Sequence, residues 1–204
     1  MTTVVVFPAK GTFTGSRRDA RCARCRQVSG RDVVGSESVS GEPSVEQVGD
    51  VWSSISGSFY RAVDPSHLDT ALLGSRLAGR YSEPSQPTLY LSSSPQGVDA
   101  AMSAHTQGRV AELVLLEFQV EAHNIVDLRN PAVLIAAGID LADALAPWQD
   151  IVKAGGEPSS WHVRRRLEAL GANGLVDPSR KRLGLWHLTL FRWNSPNAPR
   201  VARQ

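Results

Sequence analysis

The stretch Phe59–Ser94, FYRAVDPSHLDTALLGSRLAGRYSEPSQPTLYLSSS, decides how the rest of the chain is read. Its two ends contain FYRAV and PTLYL, short runs rich in aromatic and branched residues and bounded by Gly, Pro and Ser, which is the composition of β-strands. Between them lie a turn, a short helical piece and a tight Gly79-Arg80-Tyr81 corner. Arg61 falls inside the first strand, Arg80 at the corner and Tyr90 inside the second strand. A guanidinium cannot shed its charge, so an arginine within an apolar strand is costly unless it is paired. Two of them near a tyrosine point to a pocket for an anionic, partly aromatic ligand.

Beyond this stretch, Ser94-Pro95 reads as an N-cap followed by proline at the first helical position, opening a helix through GVDAAMSAH towards Gly108. AELVLLEFQVE, residues 111–121, alternates as a strand, with Leu113, Leu115, Glu117 and Gln119 on one face and Val114, Leu116, Phe118 and Val120 on the other. Glu117 sits among leucines and is a candidate acid if that face borders the pocket; otherwise it lies at the sheet periphery. Asn124–Leu128 reads as another short strand, and helices open at Asn130-Pro131 and at Asp140. Ser159 or Ser160 is the expected cap of the helix WHVRRRLEALG, stopped by Gly171. Its Arg164, Arg165 and Arg166 spread over about 200° of the cylinder, so they are expected to form a solvated face rather than one patch. A strand at Gly174–Asp177 turns at Pro178-Ser179. A last strand, Gly184–Trp193, sets Leu185, His187, Thr189 and Phe191 against Trp186, Leu188 and Leu190. Strands and helices mixed without regular βαβ alternation argue for an α+β fold.

The order Tyr60-Arg61, Gly79-Arg80-Tyr81 and Leu89-Tyr90-Leu91-Ser92 is followed by the Gly171–Ser179 segment GANGLVDPS and the closing Leu188–Phe191. Together these motifs resemble the RES domain family over roughly residues 58–194. That family is named for an Arg, a Glu and a Ser. Its members are NAD-consuming toxins of bacterial toxin–antitoxin pairs, related in fold to ADP-ribosyltransferases. The resemblance implies a central bent β-sheet flanked by helices, as a domain over 57–194. Composition marks residues 1–56 as a low-complexity, disordered tail and 195–204 as a loose C-terminus. The resemblance also implies NAD as substrate, without a metal, held by Tyr60, Arg61, Arg80, Tyr90, Ser92 and Ser179. Arg61 and Arg80 would neutralise the pyrophosphate through bidentate guanidinium forks. Tyr90 would stack on the nicotinamide, and Ser179 would orient the ribose.

One family residue is missing. The family's glutamate lies eleven positions after the tyrosine that matches Tyr90, and counting forward lands on Ala101. Asp99 is rotated about 200° away along the helix, whereas His105 lies one turn beyond Ala101 on the same face. The expected catalytic set is therefore Arg61, Tyr90, Ser179 and His105. The function so implied is a toxin-like protein that binds and degrades NAD. It would release nicotinamide by hydrolysis or phosphorolysis, or transfer ADP-ribose to a protein. The alternative is a non-catalytic NAD- or nucleotide-binding module that has lost the family glutamate. A helix-turn-helix antitoxin is the implied partner, with homo-oligomerisation left open.

Composition restricts the remaining classes. A chain of 204 residues with 42% apolar residues suits one domain plus a tail. A formal net charge of +2 gives no bulk field for nucleic acid, which would be met only through the antitoxin. No apolar run reaches the roughly 18 residues of a membrane span. The opening MTTVVVFPAK lacks the basic n-region and long apolar core of a signal peptide, so a cytoplasmic bacterial protein is expected. Cys22 and Cys25 form a CxxC pair without the further ligands a tetrahedral metal site needs. The Arg17–Arg31 run reads as a solvated basic segment, with nucleic-acid contact as its competing reading.

Overall fold

A long strand that turns back on its neighbours organises the molecule. The computed structural model describes residues 42–103 and 112–204. Among these, seven strands build one sheet: β1 (Ser44–Val48), β2 (Trp52–Val63), β3 (Leu89–Ser92), β4 (Val114–Asp127), β5 (Gly174–Pro178), β6 (Trp186–Leu190) and β7 (Arg200–Arg203). Their order is β1-β2-β3-β6-β5-β4-β7, and β2 also pairs with β4. That extra pairing bends the sheet round on itself. Five helices flank it: α1 (Pro95–Met102), α2 (Pro131–Ala137), α3 (Leu141–Leu145), α4 (Gln149–Lys153) and α5 (Ser159–Leu170); a 3₁₀ stretch spans Pro65–Leu73. The architecture is the α+β, bent-sheet arrangement expected.

Strand alternation divides the core in two. Ile55, Phe59, Leu89, Leu91, Phe118 and Leu188 fill the inside of the bend. The other face carries Val126, Leu128 and Leu175, packed against Val133 of α2 and against Val163 and Leu167 of α5. Burial of each large apolar side chain contributes about 1.5–3 kcal/mol, so the two clusters hold the sheet and helices as one body. Gly174 lies where β5 meets β6, and a Cβ there would come within 2.3 Å of the Thr189 carbonyl oxygen. Only glycine allows that approach.

Local chemistry explains most helix starts. The Ser94 side chain accepts from Gly97 N, Asn130 from Ala132 N and Asp140 from Ala142 N, each satisfying a donor that a helix leaves open at its N-terminus. Gly171 ends α5 at φ 95°. Neither Ser159 nor Ser160 caps α5: its N-cap is Pro158, and the two hydroxyls bond to the carbonyls of Asp143 and Arg80 instead.

Several expected boundaries move. Residues 42–56 do not belong to a structureless tail, because β1 and the first part of β2 lie there, paired in register from Ser44↔Ser56 to Val48↔Trp52. Nor is the C-terminus loose: β7 pairs with β4 from Phe118↔Arg203 to Glu121↔Arg200. The strands expected at 111–121 and 124–128 are one strand, which continues through Asn124 at φ 54°. The described part of α1 ends at Met102, short of Gly108. His105 lies outside the described residues, as do Cys22, Cys25 and the Arg17–Arg31 run. No helix among the described residues is long and apolar enough to cross a membrane.

Candidate functional site

The Gly79–Ser82 corner is held by α5 through three consecutive carbonyls. Trp161 Nε1 donates to Gly79 O at 2.9 Å, the Ser160 hydroxyl to Arg80 O, and Arg164 Nη1 to Tyr81 O at 2.9 Å. On its other side the Tyr90 hydroxyl accepts from Tyr81 N at 3.1 Å and lies 3.0 Å from Ser82 Oγ. A Cβ on Gly79 would come within 2.6 Å of that hydroxyl, so the corner closes only on glycine. Arg164 is 3% exposed yet satisfied. It also donates to Thr88 Oγ1 at 2.6 Å, pairs with Glu168 at 2.9 Å and lies 4.6 Å over the Phe191 ring. The expected solvated face of three arginines is therefore corrected: Arg164 turns inward, Arg165 pairs with Glu83 and Glu157, and Arg166 donates to Ala137 O. The wide angular spread that forbids one patch is what lets each find a different partner.

This clamp fixes where Arg80 leaves the backbone. Its Nη1 donates to Ala144 O at 3.4 Å, in the last turn of α3, and Arg180 Nη1 reaches Ala146 O at 3.5 Å just beyond. Carbonyls at a helix end have no intrahelical donor, so they suit guanidinium groups. The two cations feel one another: the Arg80 charge helps lower the pKa of Arg180, after desolvation. Each fork has five N–H donors, more than these carbonyls use, and two adjacent forks can hold a diphosphate.

Beneath them runs a polar row. Strand register places Glu117 opposite Tyr60, Tyr60 opposite Ser92, Ser92 opposite His187 and His187 opposite Asp177. Residues directly opposite share a face, so the row crosses β4, β2, β3, β6 and β5 on one side of the sheet. Ser92 Oγ lies 3.0 Å from His187 Nδ1, and Tyr60 Oη donates to Glu117 Oε1 at 3.5 Å. Burial, aided by the Arg80 charge, pushes the His187 imidazole down to about 4, so it is neutral at pH 7. Asp177 goes the other way. Burial pushes its carboxyl up to about 7, against the opposing pull of Arg80 and of the Tyr81 hydroxyl. Ser92, His187 and Asp177 stand side by side but are not a hydrolase triad. Among the described residues the His187 ring bonds to Ser92 through Nδ1, and no hydrogen bond joins it to Asp177.

The structure gathers some of the expected residues and separates one. Tyr60, Tyr90 and Ser92 share a face, by alternation along β3 and by the Tyr60↔Ser92 pairing. Arg80 bears on His187 and Asp177 in the same row. Ser179 follows Asp177 by two residues, is 9% exposed and donates its backbone N–H to Leu185 O at 2.8 Å. Tyr90 spends its hydroxyl on the corner. Arg61 stands apart: it is opposite Leu116 and next to Phe59↔Phe118, on the face turned into the bend. Its Nη1 donates to Ala71 O at 2.7 Å, and desolvation lowers its pKa. Ala101 is exposed on α1, as is Asp99.

Reading the sequence missed Asp177, His187, Arg180 and the three donors of α5. Asp177 and His187 carried a usable signal, since each is a polar residue in an otherwise apolar strand, the same warrant that singled out Arg61 and Tyr90. Arg180 had no signal beyond its place after Ser179. A separate depression, bordered by Ser54, Glu121, His123 and Arg200, lies towards the other end of β2 and β4. Its Ile55↔Ala122 pair is five residues, roughly 17 Å, along the ladder from Tyr60↔Glu117.

Comparison with known proteins agrees with the motif order. A search of curated proteins gives no match. Among solved structures, the crystal structure of the M. tuberculosis MbcT-MbcA toxin–antitoxin complex is similar at 18% identity and a TM-score of 0.49, over 80% of this chain and 87% of that one. The model of the RES domain matches residues 58–204, from the middle of β2 through β7 to the last residue. The chain belongs to the RES domain family.

Proposed function

We propose that this protein is a RES-type toxin that binds and degrades NAD, releasing nicotinamide by hydrolysis or phosphorolysis or by transfer of ADP-ribose to a protein. The observation that carries the reading is the clamped Arg80 beside Arg180, two permanent cations beside a row of hydrogen-bonding side chains. A dinucleotide presents that combination in reverse: a doubly charged pyrophosphate flanked by sugar hydroxyls and flat rings. Arg80 and Arg180 take the pyrophosphate, while Tyr60, Ser92, neutral His187 and Ser179 supply donors and acceptors for ribose and carboxamide. Tyr90 acts on the ligand indirectly, by holding the corner. Arg61 does not enter this grip.

Cleavage of the nicotinamide–ribose bond passes through an oxocarbenium-like sugar cation, as glycoside hydrolysis does. The nitrogen of the departing ring keeps the bonding electron pair and leaves as neutral nicotinamide; water, phosphate or a protein side chain then attacks the ribose carbon. The proposed partner is a helix-turn-helix antitoxin, as in the toxin–antitoxin pairs of the family, and nucleic acid is met only through it. The test is to incubate purified protein with NAD and follow nicotinamide. Release that falls with Arg80→Ala supports the reading; no release and no NAD binding overturns it. Ala101 favours a second reading, a binding module without turnover, which calorimetric NAD binding with no nicotinamide release would select.

A further inference from the structure

RES family membership brings with it a role for a carboxylate, and α1 supplies none on the face where it is expected. Yet α1 packs on β2 and β3 over the polar row, with Gly97 so close to Ser92 that a Cβ would lie 3.0 Å from the serine's own. Ala101 is one turn beyond Gly97 on the same side of the helix. The carboxylates nearby differ in what they can do. Asp99 is exposed and about 200° round the helix from Ala101. Asp177 is 6% exposed, and burial pushes its carboxyl up to about 7, which weakens the negative charge it can offer to a cation. Glu117 is half-buried on β4, on the row's face, directly opposite Tyr60 and two strand spacings, roughly 10 Å, from Ser92. Among the described residues no cation pairs with it, and its carboxylate accepts from the Tyr60 hydroxyl, a neutral donor.

We infer that Glu117, reaching the row from β4 beside Tyr60, is the carboxylate that faces the ribosyl cation in place of the side chain missing at Ala101. This rests on the NAD-degrading reading. The C–N bond to nicotinamide breaks with its electron pair leaving on the ring nitrogen. The Glu117 carboxylate faces the resulting positive ribose carbon, and Tyr60 orients that carboxylate through its hydroxyl. When water is the acceptor, its oxygen bonds to the ribose carbon and its proton passes to Glu117 and on to solvent. NAD and water thus give ADP-ribose, nicotinamide and one proton, with no oxidant or reductant.

The experiment compares wild type, Glu117→Gln, Glu117→Asp and the double variant Ala101→Glu/Glu117→Gln, as full chains, by nicotinamide release and by NAD calorimetry. Glu117→Gln is expected to lose about 10²–10³-fold in kcat while its Kd for NAD stays within about threefold. Glu117→Asp keeps a measurable part of the rate, and the double variant regains at least tenfold over Glu117→Gln, because a carboxylate returns to the family position. Wild-type turnover that Glu117→Gln preserves overturns the assignment and leaves the NAD reading standing. Loss of NAD binding with Glu117→Gln, or a double variant no faster than the single one, also overturns it. A wild type that binds NAD without any release removes Glu117 as a working acid, and one that neither binds nor cleaves NAD removes the NAD reading itself.

Discussion

Arg61 and Arg80 look alike in the sequence, each an arginine in or beside a short apolar strand, yet the fold gives them opposite tasks. Arg61 points into the bend of the sheet and ties β2 to the carbonyl of Ala71 at the end of the 3₁₀ stretch. Arg80 stands on the other face, on a corner whose carbonyls are taken up by α5 and whose amide is taken up by Tyr90. One guanidinium holds the scaffold; the other is held by it. An arginine in or beside a strand therefore signals a charge that needs a partner, and the face it occupies decides which partner the fold can give it.

The comparison breaks most violently at the clamp. Arg164→Ala removes a buried cation that serves Tyr81 O, Thr88 and Glu168 together. About 3–5 kcal/mol of stability is expected to be lost, read from chemical denaturation. A loss under 1 kcal/mol would mean that the corner stands without α5.

Next in size is a pair of opposed pH slopes beneath Arg80. The Asp177 pKa is raised to about 7, so the stability it contributes is complete below the ordinary carboxylate value and is lost as pH rises through 7. The His187 pKa is lowered to about 4, so its contribution is present above the ordinary imidazole value and is lost as pH falls towards 4. Between about pH 4 and 6.5 the two slopes, each up to about 1.4 kcal/mol per pH unit, oppose one another. Asp177→Asn is therefore expected to make the protein lose stability on acidification, and His187→Gln to make it lose stability as pH rises. Denaturation midpoints across that window check both; parallel slopes in the two variants would refute the assignment. Smaller still, Arg61→Ala should cost about 1.5–3 kcal/mol, the worth of a charged hydrogen bond to a buried carbonyl.

How much of this was legible in the chain can be argued residue by residue. Ser94-Pro95, Asn130-Pro131 and Asp140 declared helix starts because capping is local chemistry. The motif order gave the family because each short motif is contiguous and their order along the chain can be read without the fold. The face of Arg61 was not legible, since it depends on which strands flank β2. One residue of register reverses every side chain. The ends of the domain were misjudged for a related reason: β1 and β7 are polar, exposed edge strands whose stability comes from pairing with β2 and β4 rather than from their own apolar content. The α5 donors were hidden by distance, because Trp161 and Gly79 are 82 residues apart.

NAD affinity measured by titration calorimetry for Arg80→Ala beside Arg61→Ala tests the central claim most directly. Arg80→Ala is expected to weaken binding about 10–100-fold, the loss of a bidentate charged contact, while folded Arg61→Ala binds within about twofold of wild type. Equal losses for both, or a loss confined to Arg61→Ala, would contradict the division of labour between the two arginines.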